Sequence, residues 1–168
     1  MNKIGILTFQ NTINFGADLQ LYALYTTIKT MGETPIVIDY KNESVELREF
    51  PKFKDNKSPK KFVRYIVQKI MTREKVNKFG EFKKKTFKLS ENNYSNQNFH
   101  NIKNEVDIII VGSDQVWNTN LTGGDLNYFL PIDNVRKYSY AASFGIDNSS
   151  LLSDSIKIGQ LLNDFTKI

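Results

Sequence analysis

Three short, almost wholly apolar runs constrain this chain more than any other feature: KIGILTF (Lys3 to Phe9), PIVIDY (Pro35 to Tyr40) and VDIIIV (Val106 to Val111). A strand with one wet face alternates apolar and polar residues. These runs do not, so they require cover on both faces, the condition of a parallel sheet between helices. Between the first two, Leu21, Leu24, Tyr25 and Ile28 recur at three- and four-residue steps within Ala17 to Met31, and Gly32 stands at the expected stop. Strand, helix and strand in succession form a βαβ unit, whose strands are parallel and whose crossover is right-handed.

The rest of the chain extends this pattern. KYSYAASFG, Lys137 to Gly145, predicts a fourth strand running into a glycine turn, and NYFL, Asn127 to Leu130, a short edge strand. Ile156, Ile158, Leu161, Leu162 and Phe165 supply the face of a last helix, after which TKI leads toward a further strand. Lys41 to Pro59 lacks a period and contains Pro51 and Pro59, so a loop or insertion is expected. Phe62, Ile66 and Ile70, with Val63 and Val67 beside them, define one helix, and Val76, Phe79 and Phe82 a second. The asparagine-rich segment Glu91 to Asn101 is a connector with one helical turn. The expected class is α/β: a Rossmann-like parallel sheet with flanking helices in one domain over residues 1–168, carrying a basic helical insertion at about 52–88.

Composition narrows the chemistry. The chain has no cysteine, which excludes disulfides, thiolate metal sites and a cysteine nucleophile. The single histidine, His100, lies in a polar connector without an HxxH or HxE partner, so no metal or cofactor is expected. No signal peptide and no run of about 18 apolar residues is present, and the expected location is cytoplasmic. Between Lys52 and Lys88 there are 14 Lys or Arg against 3 acids, whereas the remainder carries 9 against 15. Such a segment is either a solvated helical face or a surface that steers an anionic partner such as a membrane. Helical spacing assigns Phe79, Phe82 and Phe87 to packing, so nucleic-acid binding is not expected.

In an open parallel sheet, ligands bind beyond the carboxyl ends of the strands. Three loops belong there. In INFGADLQ, Asn14 caps the helix and Gly16 permits a tight turn; the reading as a ligand loop and as an ordinary capped βα turn both stand. In VGSDQVWN, Gly112 permits the strand-to-helix turn and Ser113 or Asp114 serves as cap. Asp114, Gln115, Trp117 and Asn118 together exceed what one cap needs and suit a polar site beside an aromatic wall, unless Trp117 packs on the sheet. AASFG adds Ser143 and Gly145. Asp39, ending the second run, stands where dinucleotide folds contact a ribose, but the glycine fingerprint is missing.

Taken together, ILTFQNTINFGADLQLYAL, FGEFKKKTFKLSENNY, DIIIVGSDQVWN, KYSYAASFG and LLNDFTKI resemble, in order and spacing, the polysaccharide pyruvyl transferase family. The resemblance runs from residue 3 to the end. It implies the N-terminal half of a two-domain fold like that of B-type glycosyltransferases, with the C-terminal domain absent and the chain truncated and inactive alone. It implies transfer of a pyruvyl group from phosphoenolpyruvate, the donor substrate, to sugar hydroxyls as a ketal, in exopolysaccharide or cell-wall biosynthesis. The acceptor would be a polysaccharide or its lipid-linked precursor, met at the inner face of the membrane, and a separate C-terminal half would be a partner. Carried onto this sequence, the resemblance assigns substrate contacts to Asn14, Gly16, Ala17, Gln20, Gly112, Ser113, Gln115, Trp117, Asn118, Ser143 and Gly145. Asp114 becomes the proton-transfer or hydroxyl-orienting carboxylate, and Trp117 a platform for a sugar face. The rival readings are half of a nucleotide-sugar glycosyltransferase and a non-catalytic module for anionic membranes or polysaccharide.

Overall fold

The apolar runs form one sheet. The computed structural model describes residues 1–49, 59–145 and 154–168. Among these, β1 (Lys3–Leu7), β2 (Thr34–Val37), β3 (Ile108–Gly112) and β4 (Arg136–Tyr140) lie in the order β2-β1-β3-β4, all parallel. The helices are α1 (Phe15–Thr30), α2 (Glu43–Glu49), α3 (Pro59–Thr86), α4 (Thr119–Thr122) and α5 (Ser155–Asn163).

Both faces of the sheet are covered, as its composition demands. Ile4, Ile6, Val37 and Ile108 point to one face, where they meet Leu21, Leu24 and Ile28 of α1. Leu7, Ile36, Ile38, Ile109 and Val111 point to the other, against Phe99, Trp117, Phe129 and Ile158. This two-residue alternation of neighbouring strand residues between two dry layers explains why the runs show no polar alternation. Both outer edges are also paired. Leu89 and Tyr94 bridge to Val37 and Tyr40 beside β2, and Lys167 bridges to Tyr138 beside β4, all in the parallel sense.

Four expectations are corrected. The part of Lys41 to Pro59 that is described contains α2, because the Asn42 side chain accepts the Val45 N–H at 2.9 Å and starts a helix in good helix formers; residues 50–58 lie outside the described residues. The two basic helices are one, α3, of 28 residues. Its apolar stripe changes phase near Thr72 because only the C-terminal half has the body of the protein to face: Phe79 is buried, whereas Val63, Ile66, Val67, Ile70 and Met71 are exposed. Asn127 to Leu130 is not a strand. A 3₁₀ turn at Leu126–Phe129 is capped by the Asp125 side chain on the Asn127 N–H, and Leu130 adopts φ 51°. Finally, β4 ends at Tyr140, because Ala141 has φ 50°.

Candidate functional site

Strand order places the crevice. The chain leaves β1 on the face of α1, whereas after β3 it turns to the opposite face, carrying Val116 and Trp117 into the other layer. The loops following β1 and β3 therefore diverge between adjacent strands, and such a divergence leaves a crevice at the carboxyl edge. A cleft of about 320 Å³ lies there, lined by Phe9, Thr12, Asn14 and Ala17 from the first loop and Asp114 and Gln115 from the second. Arg48 and Glu49 of α2 and Leu121 of α4 complete its wall.

The first loop is held from below. Lys83 of α3 donates from Nζ to the carbonyls of Gln10 (2.6 Å) and Thr12 (2.5 Å), and lies 3.2 Å from the Asp18 carboxylate in the first turn of α1. The ammonium has a third donor for Asp18, with which it forms an ion pair, although neither carboxylate oxygen meets a well-aligned donor among the described residues. Burial pushes the Asp18 carboxyl above its ordinary value, opposed by the Lys83 ammonium, and pushes Lys83 below its own, opposed by Asp18. Lys83 thus offsets the charge of a buried carboxylate in the first turn of α1. From the sides, Asn11 donates to Glu46 at 2.7 Å and Gln10 to Asp39 at 2.8 Å. Asp39 is thereby engaged in bracing this loop.

The expected residues separate into lining and support. Asn14, exposed, caps α1 by accepting the Gly16 N–H at 2.9 Å, and with Ala17, Asp114 and Gln115 it faces the cleft. Gly16 does not make a tight turn: it is the second residue of α1, and it is not among the positive-φ glycines. Gln20 is exposed a turn further along and outside the cleft lining. Gly112 is required where it stands, since φ is 123° and a Cβ would lie 2.3 Å from the Tyr140 carbonyl. Ser113 is buried, its N–H bonded to that carbonyl at 3.1 Å.

Trp117 is a core residue. It is 4% exposed, stacks on Phe129 with ring centroids 5.8 Å apart, and donates from Nε1 to the Tyr128 carbonyl at 2.9 Å. The platform expected of it is not presented to the cleft, because the aromatic layer under the sheet offers the ring a larger dry contact than a solvent-facing loop would. Asn118, also buried, caps α4. The third loop braces the second: Ser143 donates its N–H to Asp114 O (3.1 Å) and accepts the Trp117 N–H (3.2 Å), and the Gln115 side chain lies against Gly145. Asp114 itself is half-buried, with Oδ1 accepting the Gln115 N–H at 2.7 Å and its other oxygen without a partner among the described residues.

Arg48, Glu49, Phe9 and Thr12 were not expected in the site. Asn42 followed by ESVELRE, with acids early and Arg48 late, is the helix signal that would have placed the first two. Arg48 is the cation of this cleft, exposed and 3.7 Å from Glu49, and suited to a carboxylate or phosphate. Among the described residues no group of three His, Asp or Glu side chains could hold a metal ion, and no helix is long and apolar enough to cross a membrane.

No curated protein and no solved structure is significantly similar. The profile of the polysaccharide pyruvyl transferase family matches residues 14–164, from the Asn14 cap through all three loops of the cleft edge to α5. With that match spanning most of its length, the chain belongs to the polysaccharide pyruvyl transferase family.

Proposed function

We propose that this chain forms the acceptor-side wall of a site that moves a pyruvyl group from phosphoenolpyruvate onto two hydroxyls of a sugar as a ketal, in the assembly of a surface polysaccharide. The observation that carries the reading is the cleft between the β1 and β3 loops, where two carboxylates, Asp114 and Glu49, an exposed guanidinium beside Glu49, two amides and the apolar side chains of Phe9, Ala17 and Leu121 converge. Sugar recognition uses such amide and carboxylate groups, and a transferable enolpyruvyl phosphate brings anionic groups that a guanidinium binds in a planar fork.

The chemistry assigns roles. Protonation of the methylene carbon creates an electron-poor carbon that a first hydroxyl attacks. Phosphate leaves, and a second hydroxyl closes the ketal. One of the two hydroxyl protons balances the proton gained by the methylene, and the other departs with phosphate. Asp114, with one oxygen held by a backbone N–H, orients a hydroxyl and accepts its proton; Gln115 and Asn14 position the ring; Arg48 holds the donor's anionic end. Phosphoenolpyruvate carries more negative charge than Arg48 balances. A second domain, of the B-type glycosyltransferase arrangement, would therefore complete the donor cradle, and the described wall alone would bind without turnover. The place of action proposed is the cytoplasmic face of a membrane, where lipid-linked acceptors are met.

Thermal unfolding tests the donor. Phosphoenolpyruvate at about 100 times its Kd should add about 2.7 kcal/mol of stability, and Arg48→Gln should remove most of that protection. Protection by a nucleotide sugar and none by phosphoenolpyruvate would instead identify a glycosyltransferase wall. In a complete two-domain enzyme carrying this wall, Asp114→Asn should lower turnover about 10²- to 10⁴-fold with unfolding unchanged; normal turnover would remove Asp114 from the chemistry.

A further inference from the structure

The N-terminal half of α3 carries two adjacent apolar ridges at four-residue steps, Phe62, Ile66 and Ile70 beside Val63, Val67 and Met71. These side chains are exposed, from 37% for Ile66 to 77% for Met71. The helix is 28 residues long, about 42 Å at 1.5 Å per residue. It is fixed at its C-terminal half by the buried ring of Phe79 and by Lys83, so the ridges extend away from that anchorage. They run on into a groove of about 630 Å³ between α1 and α3, floored by Phe15, Leu19, Met71, Phe79 and Phe82. Phe15 and Leu19 are 67% and 64% exposed. A contiguous apolar face of this kind marks an interaction surface.

Charge selects the occupant. Lys69, Arg73, Lys75, Lys78, Lys84 and Lys85 on the same helix are exposed, against the acids Glu74 and Glu81. A second copy would bring two such cationic helices together and be repelled. A bilayer with anionic headgroups offers what both parts of the surface need, negative charge at the rim and an apolar interior at the depth of one side chain. We propose that α3, with the exposed edge of α1, lies flat on an anionic membrane surface, inserting Val63, Ile66, Val67, Ile70 and Met71 between headgroups. Asn14 opens the same helix α1 that bears Phe15 and Leu19, so docking would bring the N-terminal rim of the cleft toward the lipid surface. Binding is read without turnover, so the test is independent of the reaction proposed above.

The full chain should float with vesicles of phosphatidylglycerol and phosphatidylcholine and not with phosphatidylcholine alone. Raising salt from about 0.05 M to about 0.5 M should release it, since screening then acts within roughly 4 Å. Ile66→Glu with Ile70→Glu should weaken binding about a hundredfold, about tenfold for each aliphatic side chain kept out of the bilayer. Arg73→Gln and Lys78→Gln should each weaken it about fivefold. Because the chain has no cysteine, Ile70→Cys carrying an environment-sensitive dye gives a second readout, a blue shift with anionic vesicles only. No flotation at low salt, equal binding to neutral vesicles, or an unshifted dye would overturn the proposal. So would a lipid-free dimer that Ile66→Glu and Ile70→Glu dissociate, which would assign the face to a second copy.

Discussion

Replacing Lys83 by methionine tests whether the support beneath the first loop is an ionic latch. The side chains of Lys83 and Asp18 are 14% and 6% exposed and their charged atoms 3.2 Å apart. At an effective dielectric constant of about 20, that separation gives a gross attraction of about 5 kcal/mol. Methionine keeps most of the stem volume, so the loss falls on charge and hydrogen bonding: an uncompensated carboxylate in a dry site and two carbonyls, of Gln10 and Thr12, without their donor. Breaking one side of such a pair destabilises by about 3–5 kcal/mol. Urea unfolding followed by circular dichroism should show this as a lowered midpoint with unchanged slope. The sign with pH follows from Asp18, whose folded pKa lies above its ordinary value and rises further without the ammonium. The folded state then holds a proton that the unfolded state has released, so stability falls as pH rises through that window. The Lys83→Met deficit should therefore be smaller at pH 5 than at pH 7, and adding Asp18→Asn should recover about half of it at pH 7. A deficit under about 1 kcal/mol, or one independent of pH, would refute the latch.

Two further substitutions separate support from chemistry. Trp117→Ala should destabilise by about 3–5 kcal/mol, the range for emptying a large buried aromatic site, and Trp117→Phe by about 1–3 kcal/mol, because the Tyr128 carbonyl loses its donor. Phosphoenolpyruvate affinity of the folded fraction, measured by calorimetry, should be unchanged in both; a selective loss of ligand binding with full stability would return the ring to the site. Gly112→Ala should cost at least about 2 kcal/mol, since the new methyl would meet the Tyr140 carbonyl at 2.3 Å with φ at 123°. A thermal midpoint within about 1 °C of the parent would show that β3 and β4 separate more easily than their register implies.

The sequence by itself determined the sheet. Runs without polar alternation can be buried only between two layers, and the apolar spacing between them can only be a crossover helix, so the parallel α/β class follows from period and burial alone. The residues that make the carboxyl edge were visible too, because Gly112 and the Asn14 cap are local backbone requirements that a residue type reveals. Tertiary structure decided which polar groups share a space. Trp117 and Asp114 are three residues apart, yet one enters the core and the other the cleft, since the choice depends on Phe129, Phe144 and Phe165 arriving from distant segments. The same holds for Lys83, one of three consecutive lysines: only its position on α3 brings it beneath the first loop, and no local pattern distinguishes it from Lys84 and Lys85. Burial and ion pairing depend on contacts between segments far apart in the chain, whereas periodicity and turn chemistry are written within a few residues.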